Sequence, residues 1–214
     1  MVWDLPTRVF HWAFAICIIG AFISGERVAL DAHEYFALTA LGLLLFRVIW
    51  GFVGFHTARF STFIPGPHRL LAYLKTIATR TGHAPIEGHN PLGGLAVLVI
   101  LAVMAVMSVT GLWTGDDVMY DAPLTAAGIA PHLAAPMAAW HERLHFLVPL
   151  VVLVHLLALL AHRLWLGEKL VARMVTGGQA ADRPTRRQTI CGFLLMAVCV
   201  AGSLSLALLT PSYS

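Results

Sequence analysis

Apolar residues gather along this chain in five long runs, at about residues 9–25, 34–55, 92–114, 144–166 and 189–209. Each run is close to the roughly 20 residues that an α-helix needs to cross the hydrocarbon of a bilayer. The third and fifth contain no charged residue. The pattern predicts an all-α integral membrane protein with five transmembrane helices. The first run is the shortest. Asp4 ahead of it and His11 within it, and the lack of an Ala-x-Ala site after Gly25, predict a retained helix rather than a cleaved signal peptide.

The stretches between the runs differ in character. Residues 56–90 form a long loop in which Pro67 to Arg80 sets Leu70, Leu74, Ile77 and Ala78 on one face, apart from Arg69, Lys75 and Arg80. That spacing predicts a short helix lying in the membrane interface. Asn90-Pro91 supplies an N-cap and a first-turn proline for the third run. Residues 115–140 are rich in Ala, Pro and Asp and carry no catalytic pattern. Gly177 to Arg187 reads as a polar linker.

Composition sharpens the membrane reading. Of the 214 residues 58% are hydrophobic and 12% charged, against about 25% charged in soluble domains. The net charge of +3 matters less than its placement. Arg59, Arg69, Lys75, Arg80, Lys169, Arg173, Arg183, Arg186 and Arg187 lie between runs two and three or four and five. Glu26, Asp31, Asp116, Asp117, Asp121 and Glu142 occupy the other two connections, opposed by Arg27 and Arg143. Basic short loops stay cytoplasmic, so the N-terminus is expected inside and the C-terminus outside. The basic residues face lipid and cytoplasm and imply no nucleic-acid partner. Cys17, Cys191 and Cys199 all fall inside apolar runs, as small hydrophobes do. No Cys-x-x-Cys-His encodes a covalent haem, and no cysteine pair has iron–sulfur spacing.

Four histidines carry the chemistry. His141 and His155 stand 14 residues apart on the fourth expected helix, close to four turns, so both leave one face about 21 Å apart along the axis. His11 opens the first run in Arg8-Val9-Phe10-His11-Trp12, and His33 opens the second in Asp31-Ala32-His33-Glu34. Ionisable residues in membrane helices turn toward the bundle interior. With the N-terminus inside, His11 lies near the cytoplasmic end, whereas His33 and His141 lie near the periplasmic end and His155 several turns deeper. Depth pairs His33 with His141, and His11 with His155. Two neutral imidazoles per iron fill its axial positions and favour electron transfer, so the pattern predicts two bis-histidine haems. Zinc would need three or four ligands around one ion, which the spacing on the fourth run forbids.

Two arginines fit this scheme. Arg8 precedes His11 by three residues on nearly the same face, and Arg47 follows His33 by 14 residues at the cytoplasmic depth. Haem propionates would answer both charges through charge-assisted hydrogen bonds. His145, one turn from His141, could contact the outer haem. His89, in Gly88-His89-Asn90-Pro91, could help to form a quinone pocket or cap the third helix. His162 is expected to snorkel at the inner surface. His56, His68, His83 and His132 read as loop residues. Trp3, Trp12, Trp50, Trp113, Trp140 and Trp165 cluster near run ends, as an interfacial belt does.

With these residues in place, the chain resembles the bacterial cytochrome b561 family. The likeness rests on Arg8-x-x-His11-Trp12, His33 at the head of helix two, Arg47 in Phe46-Arg47-Val48-Ile49-Trp50-Gly51, Gly88-His89-Asn90-Pro91, Trp140-His141-Glu142 and Val154-His155 followed by His162. It covers about residues 1–175. That family is similar to the cytochrome b subunits of nickel–iron hydrogenases and formate dehydrogenase. The resemblance implies a four-helix bundle holding two b-type haems and exchanging electrons with quinone. It also implies the same ligand pairs. The fifth helix departs from the four-helix pattern and carries no ligand, so residues 176–214 read as a linker and an added helix for packing or partner binding.

The function expected is electron transfer across the bilayer between the quinone pool and a periplasmic redox partner. That partner would be a c-type cytochrome or a dehydrogenase or hydrogenase subunit. A stand-alone enzyme, such as a superoxide:quinone oxidoreductase, is the alternative. A non-redox scaffold would leave the matched histidine depths unexplained.

Overall fold

A computed structural model describes residues 3–64, 66, 68, 70–73, 75, 91–115, 120–165, 167, 169–177 and 183–210. Among them the fold is all α, with five helical segments long and apolar enough to cross a membrane. The chain is a multi-pass membrane protein. Its lipid-facing surface is apolar, as Val99, Val106, Leu153, Leu157 and Leu160 show by their exposure.

Helix α1 (Leu5–Glu26) begins earlier than the apolar run suggests, because its first turn is set by capping. Asp4 accepts a hydrogen bond from the Thr7 amide at 2.7 Å, and Pro6 sits in the first turn, where its missing N–H costs nothing. A tight connection through Val28, at φ 55°, leads into α2 (Leu30–Val53). This helix is the hub of the molecule. It packs along α1 on one side and along α7 (Arg186–Leu204) on the other. Phe10, Phe14 and Cys17 of α1 meet Leu43, Leu44, Phe46 and Trp50 of α2 in the core, with Met196 of α7 beside them.

Helix α3 (Pro91–Gly111) contacts α2 and carries Leu101 and Met104 into the same core. The fourth span is not one continuous helix. It comprises α4 (Ala134–Leu144) and α5 (Leu147–Trp165), separated at His145 and Phe146. Pro149 explains the break, since its ring clashes with the carbonyl four residues back, that of His145. That carbonyl accepts instead from the Val148 amide at 3.0 Å. Both parts pack against α3.

Short α6 (Leu170–Thr176) ends at Gly177, whose φ of 88° closes the helix in the left-handed conformation that glycine tolerates. Helix α7 starts with a reciprocal capping box. The Gln188 amide donates to the Thr185 hydroxyl at 3.2 Å, and the Thr185 amide donates to Gln188 Oε1 at 2.9 Å. A tighter turn, Ser205–Leu209, continues it and packs against the helical turn Pro123–Ala126 and α2.

Most of the expected Pro67–Arg80 interfacial helix lies outside the described residues, as does Asn90 before α3. Trp50 departs from the expected interfacial belt. It is buried, and its indole N–H donates to Asp4 Oδ2 at 3.2 Å.

Candidate functional site: two stacked histidine pairs

The His33–His141 pair joins the first turn of α2 to α4; it is called outer, and the His11–His155 pair inner, for the depths expected from the charge pattern. His33 and His141 have ring centroids 6.2 Å apart, with planes crossed at 89°. His33 Nδ1–H donates to the Ala21 carbonyl of α1 at 2.8 Å. His141 Nδ1–H is shared between the Met107 carbonyl at 3.1 Å and Thr110 Oγ1 at 3.2 Å on α3. A carbonyl can only accept, so these bonds put the proton on Nδ1 and leave each Nε2 with a free lone pair. Two glycines make the room. A Cβ on Gly25 would come 3.0 Å from His33 Nδ1, and one on Gly111 would come 3.1 Å from His141 Cε1.

The inner pair joins α1 to α5. His11 and His155 have centroids 6.4 Å apart, with planes at 50°. His11 Nδ1 is buried without a hydrogen-bond partner. The His33 ring lies level with Ala21, ten residues beyond His11 on α1, so the two pairs are about 15 Å apart along that helix. The break at His145 means that His141 and His155 are not presented by one regular helix, yet each meets its expected partner.

The separations have a direct chemical meaning. A first-row metal binds an imidazole nitrogen at about 2.0–2.1 Å. Adding the distance of about 1.1–1.2 Å from that nitrogen to the ring centre, on both sides, gives a centroid separation of about 6.2–6.6 Å. Both pairs match it. Among the described residues no three His, Cys, Asp or Glu side chains converge in a way that would hold a zinc ion. Opposed pairs suit an iron whose other four positions are filled by a porphyrin.

The residues around the pairs fit such a group. The outer pair lines a cleft with ≈ 380 Å³ of empty space, its open mouth included, together with Glu34, Leu38, Met107 and Tyr120. Glu34 is buried and clasped from two sides. The Tyr120 hydroxyl donates to Oε2 and the Thr210 hydroxyl to Oε1, each at 3.1 Å. Toward the inner end, Arg47 is 4% exposed and lies over the rings of Phe60, at 4.8 Å, and Phe63, at 5.6 Å. Its Nη1 has no hydrogen-bond partner. A buried cation with an orphaned donor fits an anionic group such as a propionate.

The other sequence-designated residues lie as follows. Arg8 turns to α6, where its guanidinium donates to the carbonyls of Met174, at 3.3 Å, and Val175. There it complements the negative end of the α6 dipole. His145 is exposed at the break in the fourth span, its Nδ1 against the Glu142 carbonyl. His89 lies outside the described residues. Sequence reasoning missed Thr110, Glu34 and the two glycines, which act through tertiary contacts that no local motif announces. Asp4 could have been found in part, since Asp-Leu-Pro-Thr is a capping pattern.

No curated protein and no solved structure is significantly similar to this chain. Residues 2–177, which span α1 to Gly177 and leave α7 outside, match the prokaryotic cytochrome b561 family. Two opposed histidine pairs in a bundle of apolar helices agree with that match, and the chain belongs to the prokaryotic cytochrome b561 family, whose members are membrane electron-transfer proteins that bind haem b.

Proposed function

We propose that this protein is a di-haem b-type cytochrome that carries electrons across the bacterial inner membrane. It would link the quinone pool to a periplasmic redox partner. One observation carries the reading: two histidine pairs, at 6.2 and 6.4 Å, stand at different depths of one bundle. A single haem would leave the second pair without a purpose.

Haem b supplies one-electron redox chemistry when bound. The chain supplies everything else. His33 and His141 hold the outer iron and His11 and His155 the inner one. Arg47 answers a propionate charge on the inner side, where its Nη1 is unpartnered. Phe10, Phe14, Leu101 and Met104 keep the space between the helices dry. Residues 1–175 form the di-haem unit, and 176–214 add a linker and a helix. Basic loops place the N-terminus in the cytoplasm and the C-terminus in the periplasm. A c-type cytochrome or a dehydrogenase or hydrogenase subunit would then meet the outer face.

The test is haem stoichiometry joined to quinol reactivity. Purified full-length protein should give about two acid-extractable haems per chain by pyridine haemochrome assay. A short-chain quinol should reduce both. One haem per chain, or two that no quinol reduces, would defeat the reading.

A further inference from the structure

The two histidine pairs are held in different ways. Thr110 sits in the last turns of α3, 6% exposed, beside the outer pair. Its hydroxyl donates back to the Val106 carbonyl at 2.8 Å. A lone pair is left toward His141 Nδ1 at 3.2 Å. The Met107 carbonyl accepts from the same nitrogen at 3.1 Å, and Gly111 walls the ring at the next position along α3. His141 cannot turn about its Cβ–Cγ bond without losing both acceptors. Opposite it, His33 is tied to the Ala21 carbonyl at 2.8 Å. The outer rings therefore stand crossed at 89°. The inner rings stand at 50°, and His11 Nδ1 is tied to nothing.

We propose that Thr110 is a positioning residue for His141, holding its ring across that of His33 so that the outer haem site differs electronically from the inner one. The proposal rests on the di-haem reading above and adds to it a residue and an asymmetry. The chemistry is general. Each axial imidazole donates π density into the iron dπ orbital that lies perpendicular to its ring plane. Crossed rings load the two dπ orbitals almost equally and leave them nearly degenerate. A low-spin ferric centre of that kind has one very large g value. Rings nearer parallel split the orbitals and bring the largest g value down. The hydrogen bond acts in addition, because an acceptor on Nδ1–H makes the imidazole a stronger donor. Outer hydrogen bonding of this kind tunes the potential of the iron.

The test uses the full-length protein with its haems bound, oxidised for electron paramagnetic resonance and titrated potentiometrically. The parent should show two low-spin ferric signals, one with a markedly larger maximum g value. His141→Ala should remove that signal and keep the other, which assigns it to the outer site. Thr110→Val keeps the shape and removes one of the two acceptors. It should move only the large-g signal, toward smaller g, and raise only the outer midpoint potential, with two haems retained. Thr110→Ser, which keeps the hydroxyl, should restore the parent spectrum. Thr110→Ala removes the same oxygen with less bulk and reads the same quantity if Thr110→Val does not accumulate. Unchanged signals and midpoints in both hydroxyl-free variants would overturn the proposal. Failure of the di-haem reading looks different: a parent without two low-spin signals, or both signals surviving His141→Ala.

Discussion

Replacing Gly42 by alanine should loosen the seam between α2 and α7. A Cβ on Gly42 would lie 2.5 Å from the Val200 Cα and 2.8 Å from the Cys199 carbonyl oxygen, with the Ser203 hydroxyl beside it. Two of these are backbone atoms, so no rotamer change relieves the clash. Ordinary carbon contacts lie near 3.5–4.0 Å, so α7 must retreat by about 1 Å, a gap that forfeits a quarter to a half of each dispersion contact across the seam. Overpacking of this kind costs about 1–3 kcal/mol. Lipid is as apolar as the helix surfaces and returns no hydrophobic gain. Alanine recovers about 1 kcal/mol of helix propensity, which leaves a net loss of about 1 kcal/mol. Gly42→Val brings two more methyl groups and less propensity, and should cost about 2–4 kcal/mol. Gly202 is the control. A Cβ there meets nothing within 4 Å, so Gly202→Ala keeps the propensity term without the clash. In detergent, in a Cys191→Ser background, a fluorogenic maleimide reports thermal exposure of Cys17 and Cys199. At roughly 2–4 °C per kcal/mol, Gly42→Ala should melt a few degrees below the parent, Gly42→Val further below, and Gly202→Ala no lower. A Gly42→Ala protein that melts at or above the parent would refute the close-packed seam.

Replacing His141 by alanine should remove the outer haem and keep the inner, and His155→Ala should do the reverse. His145→Ala, exposed at the helix break, should keep both; haem counting and redox titration of each variant decide the ligand choice on the fourth span. A C-terminal alkaline phosphatase fusion should be active and a cytoplasm-reporting fluorescent fusion dark, since five spans from a cytoplasmic N-terminus end in the periplasm; the opposite pattern would remove one span from the membrane. Arg47→Leu should speed transfer of the inner haem to apomyoglobin by about 10- to 100-fold, as loss of a charged hydrogen bond worth roughly 1.5–3 kcal/mol requires. Arg8→Leu should leave that rate near the parent value, because Arg8 is spent on the α6 carbonyls; equal effects from both would put Arg8 back at the haem.

Much of the fold was legible because a bilayer imposes a single rule. Any stretch that crosses it must satisfy its own backbone, so length and apolarity mark the helices directly. What composition cannot show is where a helix starts and bends. The first turn of α1 is polar by hydropathy but helical by capping through Asp4 and Pro6. The fourth apolar run starts only at residue 144, and its hydropathy shows neither the helix Ala134–Leu144 before it nor the break that Pro149 makes at His145. In both cases the missing information was stereochemical, and it was present in the residues: a capping aspartate, and a proline whose ring needs the space of a carbonyl.

The histidines were legible for a different reason. Depth in a membrane bundle is one-dimensional, so residue number and orientation fix which histidines can come level, and the pairs His33–His141 and His11–His155 follow before any helix is packed. The arginines show where that argument stops. Spacing put Arg8 on nearly the same face as His11, but spacing does not fix where a long side chain ends, and the guanidinium reaches α6, an element whose return to the start of α1 no periodicity encodes. Arg47 sits at the same inner level with its charge enclosed by α2 and two phenylalanines, and an unpartnered donor remains. Of two cations at one depth, the one already satisfied by backbone carbonyls has little to gain from a propionate. The one buried without a full set of partners has the most, and for that reason Arg47 rather than Arg8 is the residue on which retention of the inner haem should depend.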